Sequence, residues 1–137
     1  MRFENSKDLD RELKAIKIFA NNHKCDYHKL GDNDIDFRLS KDGVVLSYVE
    51  VKGRLRGLDR AYPLPIAVRK LLKLADKKVN PIVIWSCDDG IIWSYVKDLK
   101  GTISYGGRKP RKGSHNDLEL MAYYDKSNNF KTMYFND

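Results

Sequence analysis

The sequence predicts a single α/β domain, in which helices and strands follow one another along the chain. Its 137 residues suffice for one hydrophobic core of ordinary size and leave no room for a second. Hydrophobic residues make up 42% and charged residues 33%, a mixture typical of a globular protein rather than a disordered one. Apolar residues recur at helical spacing in some segments and at alternate positions in others. We therefore expect residues 1–137 to form one domain.

The opening segment, at about residues 7–22, is predicted to be an amphipathic helix. Its apolar side chains recur at helical spacing, and two asparagines mark its end. These apolar positions are Leu9, Leu13, Ile16 and Ala20. A short first strand is expected at about residues 25–30, followed by a turn at 31–33.

Two further strands are predicted to form an antiparallel hairpin. Ile35, Phe37 and Leu39 alternate with polar residues, which indicates a half-buried strand. Residues 41–43, Lys-Asp-Gly, supply the turn, because glycine accepts the positive φ that such turns require. The β-rich run at 44–52 then forms the partner strand.

The middle of the chain is predicted to contain a second helix and a second hairpin. Residues 53–62 form a basic loop, and prolines at 63 and 65 lead into a helix whose apolar positions run from Ile66 to Ala75. Strands at 81–85 and 91–96 are joined by a turn rich in Asp and Gly. The sheet therefore continues past the second helix.

The C-terminal part is expected to hold a mobile basic loop and a final hairpin. Residues 106–113 are too rich in Gly, Pro and basic side chains for a regular element. The segments 118–124 and 130–135 flank a polar turn at 126–129, and we expect them to pair with each other.

The charge balance indicates a polyanionic partner. There are 26 Lys and Arg against 19 Asp and Glu, a net charge of +7 and a pI near 9.4. Basic side chains gain affinity for nucleic acid by displacing its counterions, although a merely solvated basic surface would show the same balance. Two basic groups are predicted to contact phosphates. They are Arg54, Arg56 and Arg60 in the first loop, and Arg108, Lys109, Arg111 and Lys112 in the second.

The cysteines and the hydropathy pattern place the protein in the cytoplasm. Cys25 and Cys87 lie far apart in the sequence, without the spacing of a zinc site or of a disulfide framework. No run approaches the roughly 20 apolar residues that a membrane span needs, and the N-terminus lacks the apolar region of a signal peptide. We therefore expect an intracellular, cytoplasmic protein with no membrane partner.

The chemistry of the chain is predicted to lie on the hairpin. Because side chains alternate along a strand, Glu50 and Lys52 share one face while Val51 points to the other. A carboxylate from the neighbouring strand can join them, and this is Asp36 by preference, with Asp34 on the same face as its rival. The sequence thus predicts an acidic pair with an amine beside it.

Such a cluster suits phosphodiester hydrolysis. Hard oxygen ligands bind Mg²⁺, with Mn²⁺ as a substitute, and the metal polarises a phosphate and lowers the pKa of a bound water. In this hypothesis Asp36 and Glu50 are metal ligands and the carbonyl of Val51 is a further one. Lys52 orients the attacking water or stabilises the transition state.

This arrangement resembles the PD-(D/E)xK nuclease superfamily, whose signature is an acid on one strand and then Glu or Asp, any residue, and Lys on the next. Glu50-Val51-Lys52 matches the second half, and Asp36 is the preferred match for the first, although Ile35 stands where the signature has proline. The resemblance implies a restriction-endonuclease-like core. Its central mixed β-sheet is flanked by helices in the order α-β-β-β-α-β, here with C-terminal β hairpins added.

The resemblance also implies further site residues. Many members carry an acid on the opening helix, which falls on Glu12 here, with Asp8 a weaker choice. In some members a Lys or Gln of the helix after the motif also lines the site, which falls on Lys70 or Arg69 here. Small stand-alone members such as Holliday junction resolvases have similar lengths and often pair, so a homodimer is expected.

The leading hypothesis is therefore a Mg²⁺-dependent endonuclease acting on DNA. The sequence does not indicate whether the substrate is linear or branched, or whether RNA takes the place of DNA. An alternative is a non-catalytic nucleic-acid-binding module that has kept the nuclease-like fold, with Glu50 and Lys52 as a surface ion pair. A third hypothesis is a structural or inhibitory protein with a protein partner, which would show no salt-dependent affinity for DNA.

Overall fold

The computed structural model of the chain describes residues 6–31, 35–77, 79–107 and 118–136. Within these ranges the chain forms two α-helices, nine β-strands and two short 3-10 helices, the latter at Leu58–Arg60 and Val96–Asp98. In chain order the helices and strands are α1 Ser6–Asn22, β1 Asp26–Lys29, β2 Phe37–Lys41, β3 Val44–Gly53, β4 Leu64–Ala67, α2 Val68–Ala75, β5 Ile82–Ser86, β6 Gly90–Tyr95, β7 Thr102–Gly107, β8 Leu118–Tyr124 and β9 Lys131–Tyr134.

The strands form two sheets. The larger has the order β1-β2-β3-β5-β6-β9, and the smaller has the order β4-β8-β7. Strands β3 and β5 are parallel, whereas the other neighbours in the larger sheet are antiparallel. The central sheet is therefore mixed and flanked by helices, as the sequence predicts, and the predicted element order holds with β4 inserted before α2.

Helix α1 covers one face of the larger sheet. Its side chains Ala15, Ile16 and Phe19 are buried and pack in one cluster with residues of β2 and β3 such as Phe37 and Val49. Because strand side chains alternate, this cluster uses only one face of each strand. The opposite faces of β2 and β3 are left for other neighbours.

Helix α2 and the smaller sheet cover that opposite face. Leu74 of α2 and Ile66 of β4 are buried in a second cluster with Val83 and Trp85 of β5. The Trp85 indole N–H donates a hydrogen bond to the carbonyl of Pro65 at 2.7 Å. Strand β3, which carries the predicted chemistry, thus lies in the middle of the sheet and between two packed layers.

The two predicted hairpins of the larger sheet are confirmed. Strands β2 and β3 pair antiparallel across a two-residue turn at Asp42 and Gly43, and both residues have positive φ, at 52° and 80°. This is the backbone geometry that an Asp-Gly hairpin turn requires. Strands β5 and β6 also pair antiparallel.

The predicted start of the second helix is wrong. Residues 64–67 form strand β4, and α2 begins only at Val68. The apolar residues Leu64 and Ile66 serve a strand because β4 pairs with β8, more than fifty residues along the chain. A local pattern contains no information about so distant a partner.

The predicted final hairpin is also wrong. Strand β8 pairs with β4 and β7 in the smaller sheet, while β9 pairs with β6 at the edge of the larger one. The predicted basic loop at 106–113 begins inside β7, which ends at Gly107, and its other residues lie outside the described ranges. Within the described ranges, neither helix has the length and apolar character to cross a membrane.

Candidate active site

The candidate site lies on the face of the larger sheet that α2 covers. Val49 and Val51 point into the core beneath α1, and so their neighbours Glu50 and Lys52 point to the α2 side. Glu50 is only 3% exposed, whereas Lys52 is half-buried at the open end of the strand. In the parallel register these two residues lie opposite Val83 and Trp85 of β5.

Asp36 immediately precedes β2 and completes the acidic pair. The pairing of β2 with β3 starts at Phe37 opposite Val49. The backbone N–H of Val51, two residues further along β3, therefore lies past the start of β2. The carboxylate of Asp36 takes that place, since its Oδ2 accepts a hydrogen bond from the Val51 N–H at 2.8 Å. The end of β2 therefore fixes Asp36 beside Glu50.

The carbonyl of Val51 lies on the same side of β3 as this bond. In a strand the N–H and C=O of one residue point toward the same neighbouring strand. Since the N–H of Val51 meets the carboxylate of Asp36, its carbonyl also points to the side that Asp36 occupies. Asp36, Glu50 and Val51 thus present three oxygen atoms near the same end of β3.

Glu50 is held in an unusual electrostatic environment. The Lys70 ammonium of α2 lies 3.4 Å from Glu50 Oε1, at ion-pair distance, yet this buried oxygen accepts no hydrogen bond within the described part of the chain. Burial, together with a side-chain hydrogen bond to Asp36 and the negative charge of Asp36, raises the pKa of Glu50 from 4.5 to about 8. The positive charge of Lys70 acts in the opposite direction. Without a bound cation, Glu50 therefore keeps its proton near neutral pH.

Of the two residues of the second helix predicted to line the site, the structure brings Lys70 there, 3.4 Å from Glu50 Oε1. Its neighbour Arg69 instead forms an exposed ion pair with Glu119 of β8 at 2.9 Å. The difference of one position on the helix, about 100° of rotation, directs the two side chains to different neighbours.

Glu12 reaches the site through a residue that sequence reasoning missed. Its Oε2 accepts a hydrogen bond from Lys29 Nζ at 3.3 Å, and the same ammonium lies 3.7 Å from Oδ1 of Asp36. The rival acid Asp8 pairs with Arg11 on its own helix. Lys29 belongs to β1 and lies opposite Phe37, the residue after Asp36, so only the strand pairing reveals its place.

The basic residues of the first loop have different surroundings. Arg54 donates hydrogen bonds to the carbonyls of Ala61 at 2.8 Å and Pro63 at 3.2 Å, so it braces the loop that follows β3. Burial lowers its pKa, and the positive charge of Arg56 adds to this effect. Arg56 and Arg60 are exposed. Asp34 and the second basic group, which comprises Arg108, Lys109, Arg111 and Lys112, lie outside the described residues.

The oxygen atoms of Asp36, Glu50 and Val51 fit a small divalent cation that retains several of its water ligands. Among the described residues no three His, Cys, Asp or Glu side chains lie close enough together to form a metal-binding group. Mg²⁺, however, is commonly held by one or two carboxylates together with water and substrate phosphate. Asp36 and Glu50 supply two carboxylates, and Glu50 Oε1 is a buried acceptor without a hydrogen bond. A cation bound by both carboxylates would favour the ionised form of Glu50 over its protonated form.

Comparison with known protein families gives a match. A family model described as "Phage putative PDDEXK endonuclease" matches residues 1–133, which is nearly the whole chain. The match spans both strands of the site hairpin and both helices that contact it. No curated protein and no solved structure matches the chain.

Proposed function

The chain belongs to this PDDEXK endonuclease family, and we propose that it is a Mg²⁺-dependent endonuclease that hydrolyses phosphodiester bonds in DNA. The observation that carries the proposal is the juxtaposition of Asp36 with buried Glu50, joined by a side-chain hydrogen bond. Such a pair destabilises the folded chain, because burial and the negative charge of Asp36 both disfavour the ionised form of Glu50. It suits a site that binds a cation.

In this proposal Asp36, Glu50 and the Val51 carbonyl hold Mg²⁺, or Mn²⁺ in its place. The bound ion would polarise the scissile phosphate and supply a water of lowered pKa. The Val51 N–H fixes the Asp36 carboxylate, and Lys70 keeps the Glu50 side chain in a defined position. The protein's contribution here is a preformed set of oxygen donors.

Lys52 is the proposed electrostatic partner of the reacting phosphate. It follows Glu50 on the same strand face and is half-buried at the strand end, where a substrate can approach. Its ammonium orients the attacking water or stabilises the negative charge that develops on phosphate. Glu12 is proposed as a positioning residue, since it holds Lys29, and Lys29 in turn lies at ion-pair distance from Asp36.

Cleavage assays with defined variants test this proposal. Plasmid, linear, single-stranded and branched DNA are incubated with Mg²⁺ or Mn²⁺ and the parent, Glu50→Ala, Lys52→Ala or Lys17→Ala. Lys17 lies exposed on α1 and serves as the matched control for loss of one lysine. We expect metal-dependent cleavage by the parent and the control, with a loss of at least about 100-fold in both site variants.

Two results would contradict the proposal. Cleavage that survives Glu50→Ala would remove the acidic pair from the mechanism. A folded parent that binds DNA but cleaves neither DNA nor RNA with either metal would favour the non-catalytic nucleic-acid-binding module. The observation that favours this binding module is that, within the described part of the chain, only two acidic side chains come together at the site.

We further propose that the protein acts as a homodimer. The smaller sheet exposes Ile103, Tyr105 and Leu120, at 63%, 76% and 44%, and an apolar surface of this kind favours association. Register places Tyr105 directly opposite Leu120 on neighbouring strands. Light scattering on the purified protein should give twice the chain mass, and Tyr105→Lys should shift the mass toward that of one chain. A monomeric parent would contradict this part of the proposal.

A further inference from the structure

Two buried side-chain polar atoms have no hydrogen-bond partner within the described part of the chain. One is Glu50 Oε1 in the site above, and the other is Nε of Arg38. Arg38 belongs to β2, the strand whose first residue follows Asp36. The function proposed above gives Arg38 no role.

Arg38 lies on the same sheet face as Glu50. Its neighbours Phe37 and Leu39 are buried beneath α1, so the Arg38 side chain points to the α2 side, as that of Glu50 does. Arg38 lies directly opposite Tyr48, and Glu50 is two residues beyond Tyr48 on β3. Diagonal neighbours of this kind are about 7–8 Å apart on one face of a sheet.

Positive charge continues along this part of the face. The Lys77 ammonium lies 4.6 Å above the ring of Tyr48, the residue paired with Arg38. Lys70 lies beside Glu50. Arg38, Lys77 and Lys70 together form what we name the cationic strip, which leads away from the acidic pair toward the β2–β3 turn.

The chemistry of Arg38 defines what it can bind. A guanidinium group only donates hydrogen bonds, and its planar set of N–H groups matches the oxygens of a phosphate or carboxylate. A buried N–H without an acceptor is unfavourable, and Arg38 as a whole is only half-buried, so an anionic ligand can approach its side chain. On a face that also presents metal-binding acids, the anion that meets both requirements is a nucleic-acid backbone phosphate.

We propose that Arg38 binds a backbone phosphate of the DNA strand next to the phosphate that is cleaved, with Lys77 adding to the local positive charge. This subsite rests on the proposed function, because it takes the substrate of that function as its ligand. Arg38 positions the strand and has no part in proton transfer. Its loss should therefore affect binding more than the chemical step.

Salt-dependent DNA binding provides the first test. A short duplex DNA is titrated without metal against the parent, Arg38→Gln, Arg38→Lys and the control Lys17→Gln. We expect Arg38→Gln to weaken binding by about 10- to 100-fold, the loss of one charge-assisted hydrogen-bonded contact. The slope of log affinity against log salt should fall by about 0.9, the value for one phosphate contact. Arg38→Lys should restore the slope but only part of the affinity, since lysine lacks the planar fork.

Duplexes with one neutral methylphosphonate at successive positions provide the decisive test. At one position near the cleavage point, the neutral linkage should weaken binding by the parent and by Lys17→Gln. It should cause no further loss in Arg38→Gln, because the contact is already absent there. Identical position profiles for the parent and Arg38→Gln would overturn the proposal.

The outcome separates this proposal from the proposed function. If the parent cleaves DNA and Arg38→Gln matches it in affinity, salt slope and KM, the phosphate subsite is wrong and the nuclease stands. If no variant cleaves but the methylphosphonate coupling persists, the nuclease is wrong and the subsite stands. Circular dichroism establishes that each variant folds. Unfolding of both Arg38→Gln and Arg38→Lys would identify Arg38 as a structural residue and overturn the subsite.

Discussion

At the scale of single residues, the protonation of Glu50 links folding to pH. In the folded chain its pKa is raised to about 8, whereas an unfolded chain loses the proton near 4.5. Between these values the folded state binds the extra proton, so the free energy of unfolding falls as pH rises. Below 4.5 both states are protonated, and well above 8 both are ionised. The whole destabilising contribution of Glu50 therefore develops between about pH 4.5 and 8.

Substitution of Glu50 by glutamine tests this linkage. Because Gln does not titrate, the free energy of unfolding of metal-free Glu50→Gln minus that of the parent should grow from about pH 4.5 to 8 and then stay constant. Urea unfolding at a series of pH values measures the difference. Glu119→Gln, which changes an exposed carboxylate, serves as the control. A difference between Glu50→Gln and the parent that does not vary with pH would contradict the assignment.

The residues of the candidate site differ in how far the sequence predicts them. Asp36, Glu50 and Lys52 are predicted from the sequence because strand alternation and a short motif indicate them. Lys29 and Arg38 are not found, since their roles depend on the pairing of β1 with β2 and of β2 with β3. Their partners are distant in the sequence, and isolated basic residues in a basic chain carry no distinguishing signal.

At the scale of elements, β9 depends on a glycine in its partner strand. A Cβ atom at Gly90 of β6 would meet the carbonyl oxygen of Met133 in β9 and also crowd Leu58. Backbone cannot move aside as a side chain can. The close approach of β6 and β9 is therefore possible only because position 90 has no side chain.

Gly90→Ala should consequently destabilise the edge of the larger sheet. We expect a loss of about 1–3 kcal/mol in the free energy of unfolding, the range for overpacking in a well-packed place. Gly31→Ala is the matched control, because a Cβ atom at Gly31 would meet no atom of the described residues within 4 Å. Its effect should stay within about 0.5 kcal/mol. Equal stability of the two variants in urea would contradict the close packing of β9 against β6.

The same elements show where local patterns are sufficient. The β2–β3 and β5–β6 hairpins are predicted because each has its turn residues and its pairing partner within a few positions. Strand β4 and the separation of β8 from β9 are not predicted. Leu64 and Ile66 are two positions apart, as in a strand, but the apolar residues that follow them have helical spacing. Only the pairing with β8 determines that residues 64–67 form a strand.

At the scale of the whole molecule, the buried acidic pair predicts stabilisation by metal. An ion that binds only the folded chain raises its stability by mass action. Added Mg²⁺ should therefore raise the melting temperature of the parent by several degrees, since about 1 kcal/mol corresponds to about 2–8 °C in domains of this size range. Glu50→Gln should show no such rise, and NaCl at matched ionic strength should not reproduce it. An equal rise in both proteins would show that Mg²⁺ acts elsewhere on the molecule.

The parallel pairing of β3 with β5 also orders the events of folding. Asp36 and Glu50 lie on one hairpin, and contacts of this local kind form on the microsecond scale. Lys70 belongs to the crossover that must close before β5 can lie beside β3, and non-local closure of this kind is slower. During synthesis the hairpin also precedes the crossover. We therefore expect Asp36 and Glu50 to come together before Lys70 reaches them, so that the site is completed only when the sheet is.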